Sequence, residues 1–110
     1  MGVKGARGKA AGIEAAAALE ETLAPLGVRS RSMFGGHGLF KDETMFAIVD
    51  SEGRLYLRAD ASTAMAFEQA GSTQLARMPY WEVPGPIRED DEELREWAAT
   101  AAEVAVRGQR

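Results

Sequence analysis

The apolar segments between Arg29 and Arg58 are cut by turn residues at intervals too short to hold a crossover helix. Parallel strands need such crossovers, whereas antiparallel strands are joined by tight turns. The middle of the chain is therefore expected to fold as an antiparallel meander. Arg29 to Phe34 reads as a short strand, ended by a loop at Gly35-Gly36-His37-Gly38. Leu39-Phe40-Lys41 restarts it, and Asp42-Glu43 makes a tight turn. Met45 to Val49 is apolar throughout and bounded by turn residues, as a strand should be. Asp50-Ser51-Glu52-Gly53 has the composition of a hairpin loop. Along Arg54 to Arg58, Leu55 and Leu57 fall on one face, with Arg54, Tyr56 and Arg58 on the other. Further on, Met78 to Pro84 is an aromatic strand fenced by prolines, which favours a sheet edge.

Three helices flank these strands. The first is expected from about Gly12 to Pro25, with Ile13, Ala16, Leu19 and Leu23 at helical spacing and Gly27 as its stop. Asp60 is a good N-cap for a short helix from Ala61 to Ala70, closed by Gly71. Ala64 and Phe67 form its buried stripe, with Met65 or Ala70 beside them. Asp90 followed by Glu93 resembles a capping box for a last helix, which buries Leu94, Trp97, Ala98, Ala101, Val104 and Ala105 before Gly108 ends it. Residues 1–11 carry only Gly, Ala, Val, Met and basic side chains, and are expected to be a disordered basic arm. Residues 12–110 then make one α+β domain: a single antiparallel sheet packed by an N-terminal, a short middle and a C-terminal helix. At 110 residues the chain has the length of one domain.

Composition removes several functions. There is no cysteine, so disulfides, zinc–thiolate sites and thiol catalysis are excluded. No apolar run approaches the roughly 20 residues of a membrane span. The start lacks the apolar stretch of a secretory signal, so a cytoplasmic location is expected. Thirteen Lys and Arg against seventeen Asp and Glu give a net charge of −4. DNA binding relies on a basic surface, so direct nucleic-acid binding is disfavoured.

Catalysis finds little to use. His37 is the single histidine, so two-histidine metal sites within one chain are impossible. It lies in a glycine-rich stretch, where a histidine commonly serves turn geometry. The stretch Gly35 to Gly38 runs into Leu39-Phe40 rather than a helix, so it satisfies neither phosphate-loop pattern. It reads as a bulge or corner. The acidic run Glu89 to Glu93 lacks calcium-loop spacing and fits a helix start. No catalytic residues, cofactor or metal are expected. Tyr56, Tyr80 and Trp81, near Arg54, Arg58 and Arg77, could form an exposed aromatic surface of the kind that binds partners or single strands. Tyr80 and Trp81 are strand neighbours and must point to opposite faces. One of them is then expected to serve a partner or a second subunit.

Ser32-Met33-Phe34-Gly35-Gly36-His37-Gly38-Leu39-Phe40 resembles the Met-Phe-Gly-Gly-x-Gly signature of the TfoX (Sxy) N-terminal domain family. Met45-Phe46-Ala47, Gly53 to Arg58, Phe67 to Gly71, Met78 to Pro84 and the final helix with Leu94 and Trp97 follow in the same order. The resemblance covers roughly residues 12 to 105 and implies helices packed on one antiparallel sheet. It implies no catalytic residues and a structural role for the glycine signature. Full-length members regulate competence genes as coactivators alongside the cyclic-AMP receptor protein, so the resemblance implies a protein partner in the transcription machinery. Two departures stand out. The sequence ends near the last helix, so the C-terminal domain of full-length members is expected to be absent, and the stretch from Gly71 to Met78 is short, which is expected to shorten a strand or remove a hairpin. The leading expectation is a non-enzymatic regulatory module acting through protein contacts, with a homodimer as an open assembly state. Its rivals are nucleic-acid binding through Lys4, Arg7 and Lys9 or through Arg54 and Arg58, and a small-ligand or enzymatic site at Gly35–Gly38 using His37.

Overall fold

Turn chemistry sets the register of the central hairpins. Lys41 pairs with Thr44, and the two residues between them, Asp42 and Glu43, have φ of 50° and 66°, the left-handed pair that a type I′ hairpin turn requires. The computed structural model describes the backbone of residues 3–33 and 35–108, with side chains from residue 10 onward. Five strands, β1 (Val28–Met33), β2 (Gly36–Lys41), β3 (Thr44–Val49), β4 (Leu55–Arg58) and β5 (Tyr80–Glu82), lie in chain order in one sheet. Every neighbouring pair is antiparallel. The helices are α1 (Val3–Thr22), α2 (Ala61–Gln69), α3 (Gly85–Arg88) and α4 (Asp91–Arg107), with a 3-10 turn at Ala24–Leu26. The α+β meander expected from the turn spacing is the fold observed.

One irregularity decides which side chains reach the core. The β2–β3 register shifts between Leu39, opposite Ala47, and Phe40, opposite Met45. Phe46 is left as the extra residue of a bulge. Phe46 and Ala47 therefore both enter the core, fully buried, while Met45 turns to the other face. Leu19 and Leu23 of α1, and Leu94, Ala98, Ala101 and Ala105 of α4, join Leu39, Val49, Leu55 and Leu57 in one cluster. Helix α1 contacts β1–β3, and α4 contacts β3 and β4, so both helices cover the same face. Leu57 is fully buried at its centre. Leu57→Ala is expected to cost about 3 kcal/mol in chemical denaturation, the usual range for a leucine truncated in a tight core.

The elements differ from expectation in specific places. Helix α1 starts at Val3, so its backbone includes most of the segment expected as an arm. Alanine-rich sequence with no proline sustains a helix there. Ile13 is 58% exposed and Met65 57%, so neither joins a buried stripe. Gly36–Gly38 belongs to β2 rather than to a loop, and among Gly35–Gly38 Gly35 (φ 79°) lies in the turn. Strand β5 ends the sheet, but its outer side is occupied. The Leu75 N–H donates to the Tyr80 carbonyl (2.8 Å) and the Glu82 N–H to that of Thr73 (2.9 Å). The short 71–78 stretch thus still supplies a bridge, Gln74 to Trp81. At the other edge, the Glu20 carboxylate accepts from the Ser30 N–H at 2.6 Å, covering an exposed strand donor.

The reciprocal capping box lies at Asp60 and Thr63. Asp90 accepts from the Glu92 and Glu93 N–H groups without a return bond from the Glu93 side chain. The Ser62 hydroxyl, the Thr63 N–H and hydroxyl, and Arg107 together pull Asp60 down to about 2. A carboxylate depressed in the folded state binds fewer protons than in the unfolded chain. Its stabilisation is complete above about pH 4 and is lost as pH falls toward 2. Asp60→Asn is expected to flatten that acid limb of a Tm-versus-pH curve.

Candidate interaction face

With α1 and α4 on one side, the other side of the sheet has no helix against it among the described residues. Strand pairing places Arg31, Gly38, Ile48, Tyr56 and Glu82 in a single row across all five strands. Alternation along β1 and β2 adds Arg29, Met33, Gly36 and Phe40 to that face, and the bulge adds Met45. An ideal Cβ on Gly38 would lie 2.7 Å from Met33 Sδ, 2.8 Å from Met45 Sδ and 3.0 Å from Phe40 Cε1. The missing side chain thus lets two methionines and a phenylalanine pack directly over the strand backbone. Arg31 places its guanidinium 4.6 Å from the Phe40 ring centre, a cation–π contact. Met33, Phe40, Met45 and Ile48 are half-buried, whereas Arg29 and Arg31 are exposed.

Gly36 serves a different need. A Cβ there would overlap the Val49 carbonyl oxygen, and would come within 3.3 Å of Asp50 Cα. Backbone meets backbone at this point, so the residue has to be glycine. Gly36 and Gly38 are two apart, the period of a strand face, and that spacing is the signal in the sequence for their placement.

Asp50 organises the hairpin end of the face. Its carboxylate accepts from the Glu52 N–H (3.0 Å), the Arg54 N–H (2.8 Å), Arg54 Nε (2.8 Å) and the Tyr56 hydroxyl (3.4 Å). Burial pushes Asp50 up, but the bonds from Arg54 and Glu52 outweigh it and hold the group below its ordinary value. Burial and the Asp50 charge raise the Tyr56 phenol. Arg88 donates to the Gly53 carbonyl at 3.1 Å, and its burial lowers its pKa against the opposing pull of Glu82 and Asp50.

Tyr80, two residues from Glu82, shares this face, and the remaining candidate residues go elsewhere. His37 lies in the row Ser32–His37–Val49–Leu55, on the helix side, with Nδ1 buried and without a hydrogen bond. Tyr80 is 3% exposed, with its hydroxyl 3.4 Å from the Met45 carbonyl. Trp81 is half-buried and stacks on Phe67 at 6.4 Å, and Phe67 meets Trp97 edge-on at 5.0 Å. Neither Tyr80 nor Trp81 presents the expected exposed aromatic surface: Tyr80 is buried on the Glu82 side of β5, and Trp81, on the opposite side, stacks on Phe67 of α2. Phe34, and the side chains of Lys4, Arg7 and Lys9, lie outside the described residues. Arg54 is tied to Asp50 and Glu52, and Arg58 turns toward α2 and α4, so the two arginines form no common basic surface. Among the described residues no group of three His, Asp or Glu could hold a metal ion, and no helix is long and apolar enough to cross a membrane.

A helix-backed antiparallel sheet with one apolar, arginine-edged face defines a small α+β domain. The chain belongs to the TfoX N-terminal domain family, whose model matches residues 21–105. It is also similar to the DNA transformation protein TfoX1 of Aliivibrio fischeri, 39% identical over 61 residues. The match covers 48% of this chain and 29% of the relative, so the chain spans under a third of that protein.

Proposed function

We propose that this competence-family domain is a non-enzymatic, cytoplasmic regulator that acts by docking a protein of the transcription machinery on its open sheet face. The carrying observation is the half-buried cluster of Met33, Met45 and Phe40 packed over Gly38 and bordered by Arg31. Methionine, aromatic residues and arginine are the side chains enriched at protein interfaces. Methionine in particular adapts its shape to a partner. The acidic balance of the chain, net −4, also favours a protein over a nucleic-acid partner.

The test is affinity capture from nuclease-treated lysate of the source organism, comparing wild type with Ile48→Glu. The expected result is one stoichiometric transcription-associated protein retained by wild type and lost by the variant. Retention by both variants would remove the face from the reading.

A further inference from the structure

A second feature lies in the helical layer, away from the open face. Helices α2 and α4 enclose a groove of about 420 Å³, whose lining includes Arg58, Thr63, Phe67, Glu96, Trp97 and Thr100. That volume is within the range of small-molecule sites. Phe67 and Trp97 meet edge-on there, giving an aromatic wall. Arg58 supplies the charge. Its guanidinium carbon is 5.9 Å from the Tyr80 ring centre, and a Cβ on Gly108 would lie 2.7 Å from its Nη2. Its end is thus held against the last turn of α4, where the helix dipole favours a cation. No carboxylate pairs with it among the described residues. Its Nε is buried and makes no hydrogen bond. A buried donor without a partner is costly, and a carboxylate is the natural two-pronged partner of a guanidinium edge.

We propose that this groove binds a small organic monocarboxylate with an aromatic or branched apolar body. The carboxylate meets Arg58, which rotates slightly so that Nε and one Nη both gain an acceptor, and the apolar body lies along Phe67 and Trp97. One guanidinium balances one negative charge. Glu96 at the rim, in a chain of net −4, disfavours a dianion such as phosphate. The Ser62 and Thr63 hydroxyls are committed to Asp60, which leaves Arg58, the Thr100 hydroxyl and the Trp97 indole N–H as the donors on the lining.

The probe is phenylacetate, compared with phenylacetamide and inorganic phosphate, titrated into labelled protein and followed by NMR. The expected result is a saturable shift of the Arg58 Nε–H and the Trp97 indole with phenylacetate, at least tenfold weaker binding of phenylacetamide, and none of phosphate. Arg58→Gln should weaken phenylacetate at least tenfold. Should Arg58→Gln fail to fold, Ala66→Trp, at an exposed α2 position lining the groove, fills the space without touching the arginine and should abolish the shifts. Equal binding of acid and amide, tighter binding of phosphate, or no saturable change at Arg58 would overturn the proposal. Each of these outcomes leaves the sheet-face reading untouched.

Discussion

Gly36→Ala is expected to lower the stability of this domain by about 3 kcal/mol or more, the upper end of what overpacking costs. The added methyl group meets the Val49 carbonyl oxygen on the neighbouring strand, and a hydrogen-bonded strand cannot retreat without breaking the β2–β3 ladder. For a domain of this size each kcal/mol moves Tm by about 4–8 °C, so a loss on the order of 12–24 °C should appear in thermal unfolding. Gly38→Ala provides the contrast. Its methyl group meets the ends of Met33 and Met45, which swing away at an expected cost under about 1 kcal/mol, because methionine repacks easily. Two glycines two residues apart should therefore differ several-fold in cost. Equal Tm losses would mean that β2 does not approach β3 as described.

The second large effect falls on binding. Ile48 occupies the middle of the open face, between Gly38 and Tyr56, and stands outside the buried core cluster. Ile48→Glu should leave circular dichroism unchanged and Tm within a few degrees. Its affinity for the docked protein should fall at least about 100-fold, or about 2.7 kcal/mol, because the carboxylate would be buried without a partner. Gly38→Ala should weaken the same complex to a lesser degree, by displacing the methionines that pack over it. Loss of binding with intact Tm separates a contact residue from a structural one.

Much of the fold was legible because its signals are local. Turn residues at short intervals specified the meander. Asp60 and Asp90 marked helix starts, and the apolar face of α4 from Leu94 to Ala105 is buried apart from Trp97, which is half-buried. What the sequence concealed depends on contacts between distant segments. The β2 glycines read as a loop because strand glycines are justified only by what crosses above them, here Val49 and the side chains of Met33 and Met45. Phe46 and Met45 exchange faces through a bulge that has no local signature. Tyr80 and Trp81 looked available to a partner because neither the Met45 carbonyl that meets the Tyr80 hydroxyl nor the Phe67 ring that stacks on Trp81 could be placed from pattern alone. The candidate face was hidden for the same reason. Arg29, Arg31 and Met33 alternate on β1, but a face is recognisable as open only when every helix is seen to pack on the other side.

The most direct test of the open face as the docking surface is site-specific photo-crosslinking with benzoylphenylalanine at position 48 of β3, run beside the same probe at Met65. Met65 is 57% exposed on α2 and lies off the face. A single crosslinked protein from position 48, absent from position 65 and competed by unlabelled wild type but not by Ile48→Glu, is the expected result. The same product from both positions, or a product from position 65 alone, would contradict it.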